Sequence, residues 1–126
     1  MNHPERVEDY LEHIALAIDR IAGYVRDING PQGLERNQQA QDAVIRNIEI
    51  IGEAANRIQK QAPEFVSAHA ELPWVEMRGM RNKMIHNYFD VSLGIVWNTV
   101  KEDLPKLKQQ IDELLTELKR DPEHSR

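Results

Sequence analysis

The chain has 126 residues, enough for one domain around a single hydrophobic core, and its 40% hydrophobic and 29% charged content is typical of a soluble globular protein without a membrane span. It has no cysteine, which excludes disulfide bonds, thiol catalysis and zinc sites built on thiolates. Its formal net charge of −5 argues against a general nucleic-acid-binding protein, whose affinity for phosphate depends on clustered Lys and Arg.

The first predicted helix extends from Pro4 to Ile28. Pro4 at its start and the pair Gly30-Pro31 after its end delimit it. The first residues of the chain, 1–6, include Glu5 and lack the basic start and the apolar run of a secretory signal, so we expect a cytoplasmic protein. Apolar residues recur in this helix at the three- and four-residue spacing of one helical face: Val7, Tyr10, Leu11, Ile14, Ile18, Ile21, Val25 and Ile28.

The second predicted helix follows a turn at Gly30 to Gly33 and extends from about Glu35 to Gln61, ending before Pro63. Its apolar face consists of Val44, Ile48, Ile51, Ala55 and Ile58. Three further apolar residues lie outside this face, and they indicate either a contact with a second subunit or scattered apolar residues on the surface. These are Ile45, Ile50 and Ala54.

The second half of the chain is also predicted to be helical. The stretch from Pro63 to Ala70 reads as a short helical turn or loop, and Pro73 begins a third long helix that reaches about Tyr88. The stretch from Phe89 to Gly94 breaks the pattern. In the last helix Pro105 removes a backbone donor, so we expect a kink or a split there. The apolar face of this helix consists of Ile95, Val96, Val100, Leu104, Leu107, Ile111, Leu114 and Leu118.

These patterns predict an all-α protein, an antiparallel four- to five-helix bundle with a proline-kinked last helix. The whole chain, residues 1–126, is interpreted as a single domain with a frayed tail at residues 121–126. We find no internal repeat and no low-complexity segment.

Arg81 lies within an apolar face of the third helix. A guanidinium keeps its proton, and burying it unpaired costs several kcal/mol, so an anionic group should meet it there. That group is either a carboxylate of this chain or a phosphate, unless the side chain extends to water. The other residues of this face are Trp74, Met77, Met84, Ile85 and Tyr88.

The segment around Arg81 is also the basic part of the chain. From Met77 to Phe89 it contains Arg78, Arg81 and Lys83 and no acid, so its charge is +3 and the remainder, by subtraction from −5, carries −8. His86 lies in this segment, about 140° around the helix from Arg81, on a row with Gly79 and Asn82. The two residues therefore flank one groove only at the helix end or between two copies of the helix. A histidine satisfied by local hydrogen bonds is the alternative interpretation.

The segment Arg81-Asn82-Lys83-Met84-Ile85-His86-Asn87-Tyr88 resembles the R-x-x-x-x-H-x-Y motif of the HepT-like toxin family of HEPN (higher eukaryotes and prokaryotes nucleotide-binding) domains. Asn87 is a departure, since relatives often carry glycine there, but the position is not a catalytic one. The similarity covers nearly the whole chain in the right order. The other matching segments are Ile51-Gly52-Glu53-Ala54-Ala55, Pro73-Trp74, Gly79-Met80-Arg81-Asn82, Val96-Trp97 and Asp103-Leu104-Pro105.

The resemblance implies the toxin of a two-gene, type VII-like toxin–antitoxin system, a homodimeric endoribonuclease that uses neither metal nor cofactor. Arg81 and His86 would be catalytic, with each subunit contributing one of each to a shared cleft that binds RNA. Asn82 would orient the imidazole or hold a phosphate oxygen, although a solvated helix residue is an equal interpretation. Arg78 and Lys83 complete the basic segment and are taken as supporting residues.

Two further residues gain roles from the resemblance. Tyr88 would accept AMP from a partner nucleotidyltransferase antitoxin of the MNT type, which would place negative charge beside His86 and inactivate the toxin. Without the motif, Tyr88 would be interpreted as a core-facing aromatic. Glu53, with Arg57 at helical spacing, is interpreted as part of a surface ion pair of small energy. The family's glutamate in the Ile51-Gly52-Glu53 segment implies the alternative, in which Glu53 anchors Arg81 or lines the cleft.

Two other functional classes remain. One is a catalytically silent HEPN module that binds nucleotide or serves as an adaptor for its nucleotidyltransferase. The other is a purely structural helical bundle, which explains the apolar faces but gives Arg81 no purpose. The chain lacks a Glu-x-x-His pair for a di-metal site and a glycine loop for phosphate.

Overall fold

The computed structural model describes residues 6–86 and 93–120, with side chains described at 6–80 and 93–120. The described residues form helices and their connections and contain no strand, which confirms the all-α bundle. None of their helices is both long enough and apolar enough to cross a membrane. The elements are α1 (Val7–Val25), α2 (Gly30–Glu35), α3 (Gln38–Gln61), α4 (Pro63–Ala68), α5 (Trp74–His86), α6 (Leu93–Asn98), a π-helical turn (Thr99–Asp103) and α7 (Leu104–Arg120).

Helix α3 is the centre of the bundle, with α1 and α5 packed against it and α7 packed against α1. Its first turn is capped by Asn37, whose Oδ1 accepts a hydrogen bond from the Ala40 N–H at 3.0 Å. The apolar faces predicted for α1, α3 and α7 meet in one core. Its fully buried members include Leu11, Ile14, Ile48, Ile51 and Ile111.

The central position of α3 corrects the interpretation of its second apolar face. Ile45 and Ala54 are buried within the single chain, and Ile50 packs partly against the same core. Both interpretations from the sequence, a contact with a second subunit and scattered surface residues, are therefore wrong for Ile45 and Ala54. The physical reason is that α3 has neighbouring helices on two sides, so that more than one of its faces is buried.

Helix α2 was not predicted, because the sequence pattern indicated a turn at Gly30 to Gly33 and a helix starting near Glu35. Pro31 in the first turn favours helix initiation, and the buried Leu34 anchors the segment to the core. The Gln41 side chain donates hydrogen bonds to the carbonyl oxygens of Leu34 at 2.9 Å and Glu35 at 2.8 Å. Helix α3 consequently begins at Gln38, three residues later than expected.

The last helix is interrupted beside Pro105, as predicted, but by a widened turn. The Leu104 N–H bonds to the Thr99 carbonyl, five residues earlier, within the π-helical turn that joins α6 to α7. Proline has no N–H and its ring clashes with the carbonyl four residues before it, so a regular α-helical turn is disfavoured at this place in the chain. Helix α6 begins at Leu93, two residues before the expected Ile95. The tail at residues 121–126 lies outside the described residues.

Candidate functional site

Helix α5 carries the predicted catalytic residues, and its first turns are firmly anchored. The Trp74 indole is buried and donates a hydrogen bond from Nε1 to the His69 carbonyl at 2.9 Å. Its ring meets the Phe65 ring edge-on with centroids 6.4 Å apart, and Met77 is fully buried one turn later. Since Phe65 lies in α4, directly after α3, helix α5 starts beside the end of α3 and runs back along it.

The helical register of α5 separates the positions of Arg81 and His86. Arg81 is four residues after Met77 and seven after Trp74, so its position continues the row whose described members are buried. His86 is seven residues after Gly79 and eleven after Val75, so its position continues a row whose described members are exposed. The register therefore separates the two positions by about 140°, as expected.

Not every predicted site residue falls in the described part of the chain. The backbone of α5 includes Arg81, Asn82, Lys83 and His86, but their side chains are outside the described part, as is all of Tyr88. The shared cleft of Arg81 and His86, and the contact between Glu53 and Arg81, consequently stay predictions.

Arg78, one turn before Asn82, is a partly buried cation on α5. Its Nε is buried and makes no hydrogen bond to the residues that the structure describes. Leaving a buried donor without a partner costs about 1–3 kcal/mol, more when the group is charged. The unpaired Nε therefore lowers the stability of the single chain, and an anionic or hydrogen-bond-accepting partner at Arg78 would remove this cost.

Glu53 on α3 forms the ion pair that its spacing indicated. Its Oε1 accepts a hydrogen bond from the Arg57 Nε at 2.9 Å, and the two side chains are 40% and 56% exposed. The exposure keeps the energy of this contact small. The predicted i,i+4 surface pair is thus confirmed.

Two features of the described residues escaped the sequence reasoning. Asn47 is buried in α3, where its Nδ2 donates to the Ala43 carbonyl at 2.9 Å and its Oδ1 has no hydrogen-bond partner among the residues that the structure describes. Its place within the apolar spacing of α3, three residues after Val44, was the available signal. The other feature is a groove between α2 and α6, which no periodic pattern announces because α2 has only six residues.

The described ranges, 6–80 and 93–120 for side chains, contain no cluster of three or more His, Asp or Glu side chains spaced to hold a metal ion. Among their histidines, His69 lies 3.5 Å from a Glu71 carboxylate oxygen, measured from Nδ1, and its ring packs on Phe65 with centroids 4.4 Å apart. His13 meets the Tyr10 ring edge-on on α1. Both are on elements other than α5.

Comparison with known proteins identifies the family. The family model for ribonuclease HepT-like proteins matches residues 14–114. A probable ribonuclease HepT of Thermococcus cleftensis is 46% identical over 107 residues, which cover 85% of this chain and 94% of that protein. A putative RNase of Caldanaerobacter subterraneus subsp. tengcongensis is 37% identical over 106 residues, 84% of this chain and 91% of that protein.

A third relative is longer. A Methanocaldococcus jannaschii protein named as a gamma-glutamylcyclotransferase and putative RNase is 42% identical over 112 residues, covering 89% of this chain but 49% of that protein. No solved structure matches the chain. The match over residues 14–114 includes α3, α5 and the whole R-x-x-x-x-H-x-Y segment. The chain belongs to the ribonuclease HepT-like family.

Proposed function

We propose that this protein is a metal-independent endoribonuclease, the toxin of a type VII-like toxin–antitoxin system, with a composite active site in a homodimer. Family membership across residues 14–114, with Arg81 and His86 both present on α5, is the observation that carries the proposal. Relatives bear the names probable ribonuclease and putative RNase, which supports RNA as the substrate class.

The proposed reaction is attack of a ribose 2′-hydroxyl on the adjacent phosphorus. The bond from 2′-O to phosphorus forms, the bond to the 5′-oxygen breaks, and a cyclic phosphate remains. One His86 imidazole takes the 2′-hydroxyl proton, and the partner subunit's His86, protonated, gives a proton to the leaving oxygen. The two Arg81 guanidinium groups bind the phosphate oxygens and stabilise charge at phosphorus.

Cleavage in the presence of chelator tests this mechanism directly. Purified protein should cut RNA at the same rate with and without excess EDTA, because acid, base and cation all come from side chains. The fragments should carry 2′,3′-cyclic phosphate ends, measured by mass spectrometry. Loss of cutting in EDTA with recovery on added magnesium would contradict the mechanism. No cutting in any buffer would favour the alternative function, a silent HEPN module acting as a nucleotide-binding or adaptor subunit.

The exposed row of α5 supports the homodimer. Val75 is 68% exposed, and Gly79 is exposed with no atom within 4 Å of where a Cβ would stand. Glycine within a helix costs about 1 kcal/mol relative to alanine, and no packing contact among the described residues requires it at this position. A glycine at this position permits the close approach of a second helix, and this is the row on which the position of His86 lies.

A bulky charge at Gly79 should separate dimerisation from folding. A Cβ added at Gly79 meets nothing among the described residues, so for Gly79→Arg we expect unchanged helicity by circular dichroism, a monomer by light scattering, and RNA cleavage reduced at least about tenfold. Gly23→Arg is the matched control, since Gly23 on α1 also has nothing within 4 Å of an added Cβ. A Gly79→Arg protein that stays dimeric and active would argue against this interface.

Tyr88 is the proposed site of neutralisation by AMP transfer. Coexpression with the cognate nucleotidyltransferase should increase the mass of the protein by about 329 Da for each AMP transferred, a shift that intact-mass spectrometry resolves. The added phosphate should abolish RNA cleavage. Tyr88→Phe should keep its unmodified mass and stay active in the same cells, while Tyr24→Phe, an exposed tyrosine on α1, should be modified as in the wild type. Mass added to Tyr88→Phe would refute the assignment.

A further inference from the structure

A groove of about 330 Å³ lies between α2 and the start of α6, lined by Pro31, Gln32, Glu35, Leu93 and Gly94. This volume is at the lower end of the range for small-ligand pockets, about 300–1,000 Å³, and suits one flat ring system.

The wall formed by α2 is held in place before any ligand arrives. Gly30 takes a φ of 76°, which favours glycine, and turns the chain into the helix. Leu34 is fully buried, and the two hydrogen bonds from the Gln41 side chain hold the Leu34 and Glu35 carbonyls. A flexible surface loop would have to become ordered when a ligand binds. The wall formed by α2 is already ordered, which lowers the entropy cost of binding.

The chemistry of the lining selects a kind of ligand. Pro31 and Leu93 provide apolar contact for the faces of a ring, and Gly94 leaves space beside them. The Glu35 carboxylate accepts hydrogen bonds and repels phosphate, so it favours a base edge over the nucleic-acid backbone. Gln32, three residues earlier on α2, also lines the groove, and its side-chain amide offers a donor and an acceptor.

Among the RNA bases, guanine fits this combination. Its N1–H and N2–H groups are two adjacent donors on one edge, which pair with the two oxygens of a carboxylate, and its O6 accepts from an amide N–H. The other bases offer a single donor group to a carboxylate on that edge. We propose that the groove between α2 and α6 binds a guanine base of the RNA substrate, with Glu35 and Gln32 reading its edge; this rests on the proposed ribonuclease function.

The groove lies within reach of the proposed catalytic helix. Leu93 follows His86 by seven residues, so their Cα atoms are at most about 25 Å apart even along a fully extended chain. A base held beside Leu93 therefore lies within a few nucleotides of a phosphate held at the His86 position. Base reading at this distance would set where the RNA is cut without touching the reacting atoms.

Nucleotide binding tests the groove without depending on cleavage. Titration of the full chain with 5′-GMP and 5′-CMP in a calorimeter should give at least about tenfold tighter binding of GMP, as expected for an added charge-assisted hydrogen bond. Glu35→Gln should remove that preference. Glu117→Gln makes the same charge change on an exposed residue near the far end of α7 and should keep it. Equal affinities, or a preference that survives Glu35→Gln, would overturn the proposal.

Cleavage of a random-sequence RNA pool then separates the groove from the nuclease. Sequenced fragment ends should show guanine enriched at one fixed position relative to the cut. Glu35→Gln should lose this enrichment, and Glu117→Gln should keep it. Selective GMP binding without any RNA cleavage would support the guanine site and contradict the ribonuclease proposal. Cleavage without a guanine preference, together with equal nucleotide affinities, would support the ribonuclease proposal and contradict the guanine site.

Discussion

Replacing His86 by alanine should lower the rate of RNA cleavage by about 10² to 10⁴, the range that a positioned general acid or base contributes. In the proposed dimer the substitution removes both imidazoles of the shared cleft, so the upper part of this range is expected. His13→Ala is the matched control, because His13 is an exposed histidine on α1 and its substitution should leave the cleavage rate unchanged. Initial rates on a fluorescent RNA oligonucleotide measure both.

Arg81 extends the same experiment to the cation. Arg81→Ala should lose cleavage to a similar degree, and Arg81→Lys should recover only part of it, because lysine keeps the charge but loses bidentate contact with phosphate. Arg20→Ala, at an exposed arginine on α1, should leave the rate unchanged. Circular dichroism must show each variant folded. Folded His86→Ala and Arg81→Ala proteins that cut as fast as the wild type would contradict the site assignment.

The sequence predicted the long helices because each buries one regular face. The stripes of α1, α3 and α7 repeat over four or more turns, so spacing alone places residues such as Ile14, Ile51 and Ile111 in the core, where the structure has them. Helix α2 could not be found in this way, since six residues give fewer than two turns and its single buried anchor, Leu34, forms no pattern.

Tertiary arrangement determined what the patterns missed. Ile45 and Ala54 are buried because α3 has neighbouring helices on two sides. The spacing of apolar residues does not reveal how many helices pack against a given helix. At Pro105 the lost donor was predictable, but the five-residue hydrogen bond from Leu104 to Thr99 depends on how the helix relaxes. The register of Arg81 and His86 on α5 followed from counting alone. Their proposed meeting involves a second chain, which no property of one sequence specifies.

Mixed dimers test the composite site most sharply. A heterodimer of one wild-type and one His86→Ala subunit, purified through two different tags, should cut RNA at roughly 1% of the wild-type rate or less, since acid or base is missing from its single cleft. If each chain held a complete site, the same heterodimer would keep about half of the activity. Rates are compared at equal dimer concentration on the same oligonucleotide.

Pairing an Arg81→Ala subunit with a His86→Ala subunit distinguishes two designs of the dimer. If each site took its arginine from one chain and its histidine from the other, this heterodimer would regain one intact site of two, and so about half of the wild-type rate. In one shared cleft that needs both imidazoles, it keeps a single His86 and a single Arg81 and stays inactive. Because groups that act as a unit lose activity non-additively, its rate should match that of the His86→Ala homodimer. Recovery to half would replace the shared cleft with two separate composite sites while keeping the requirement for a dimer.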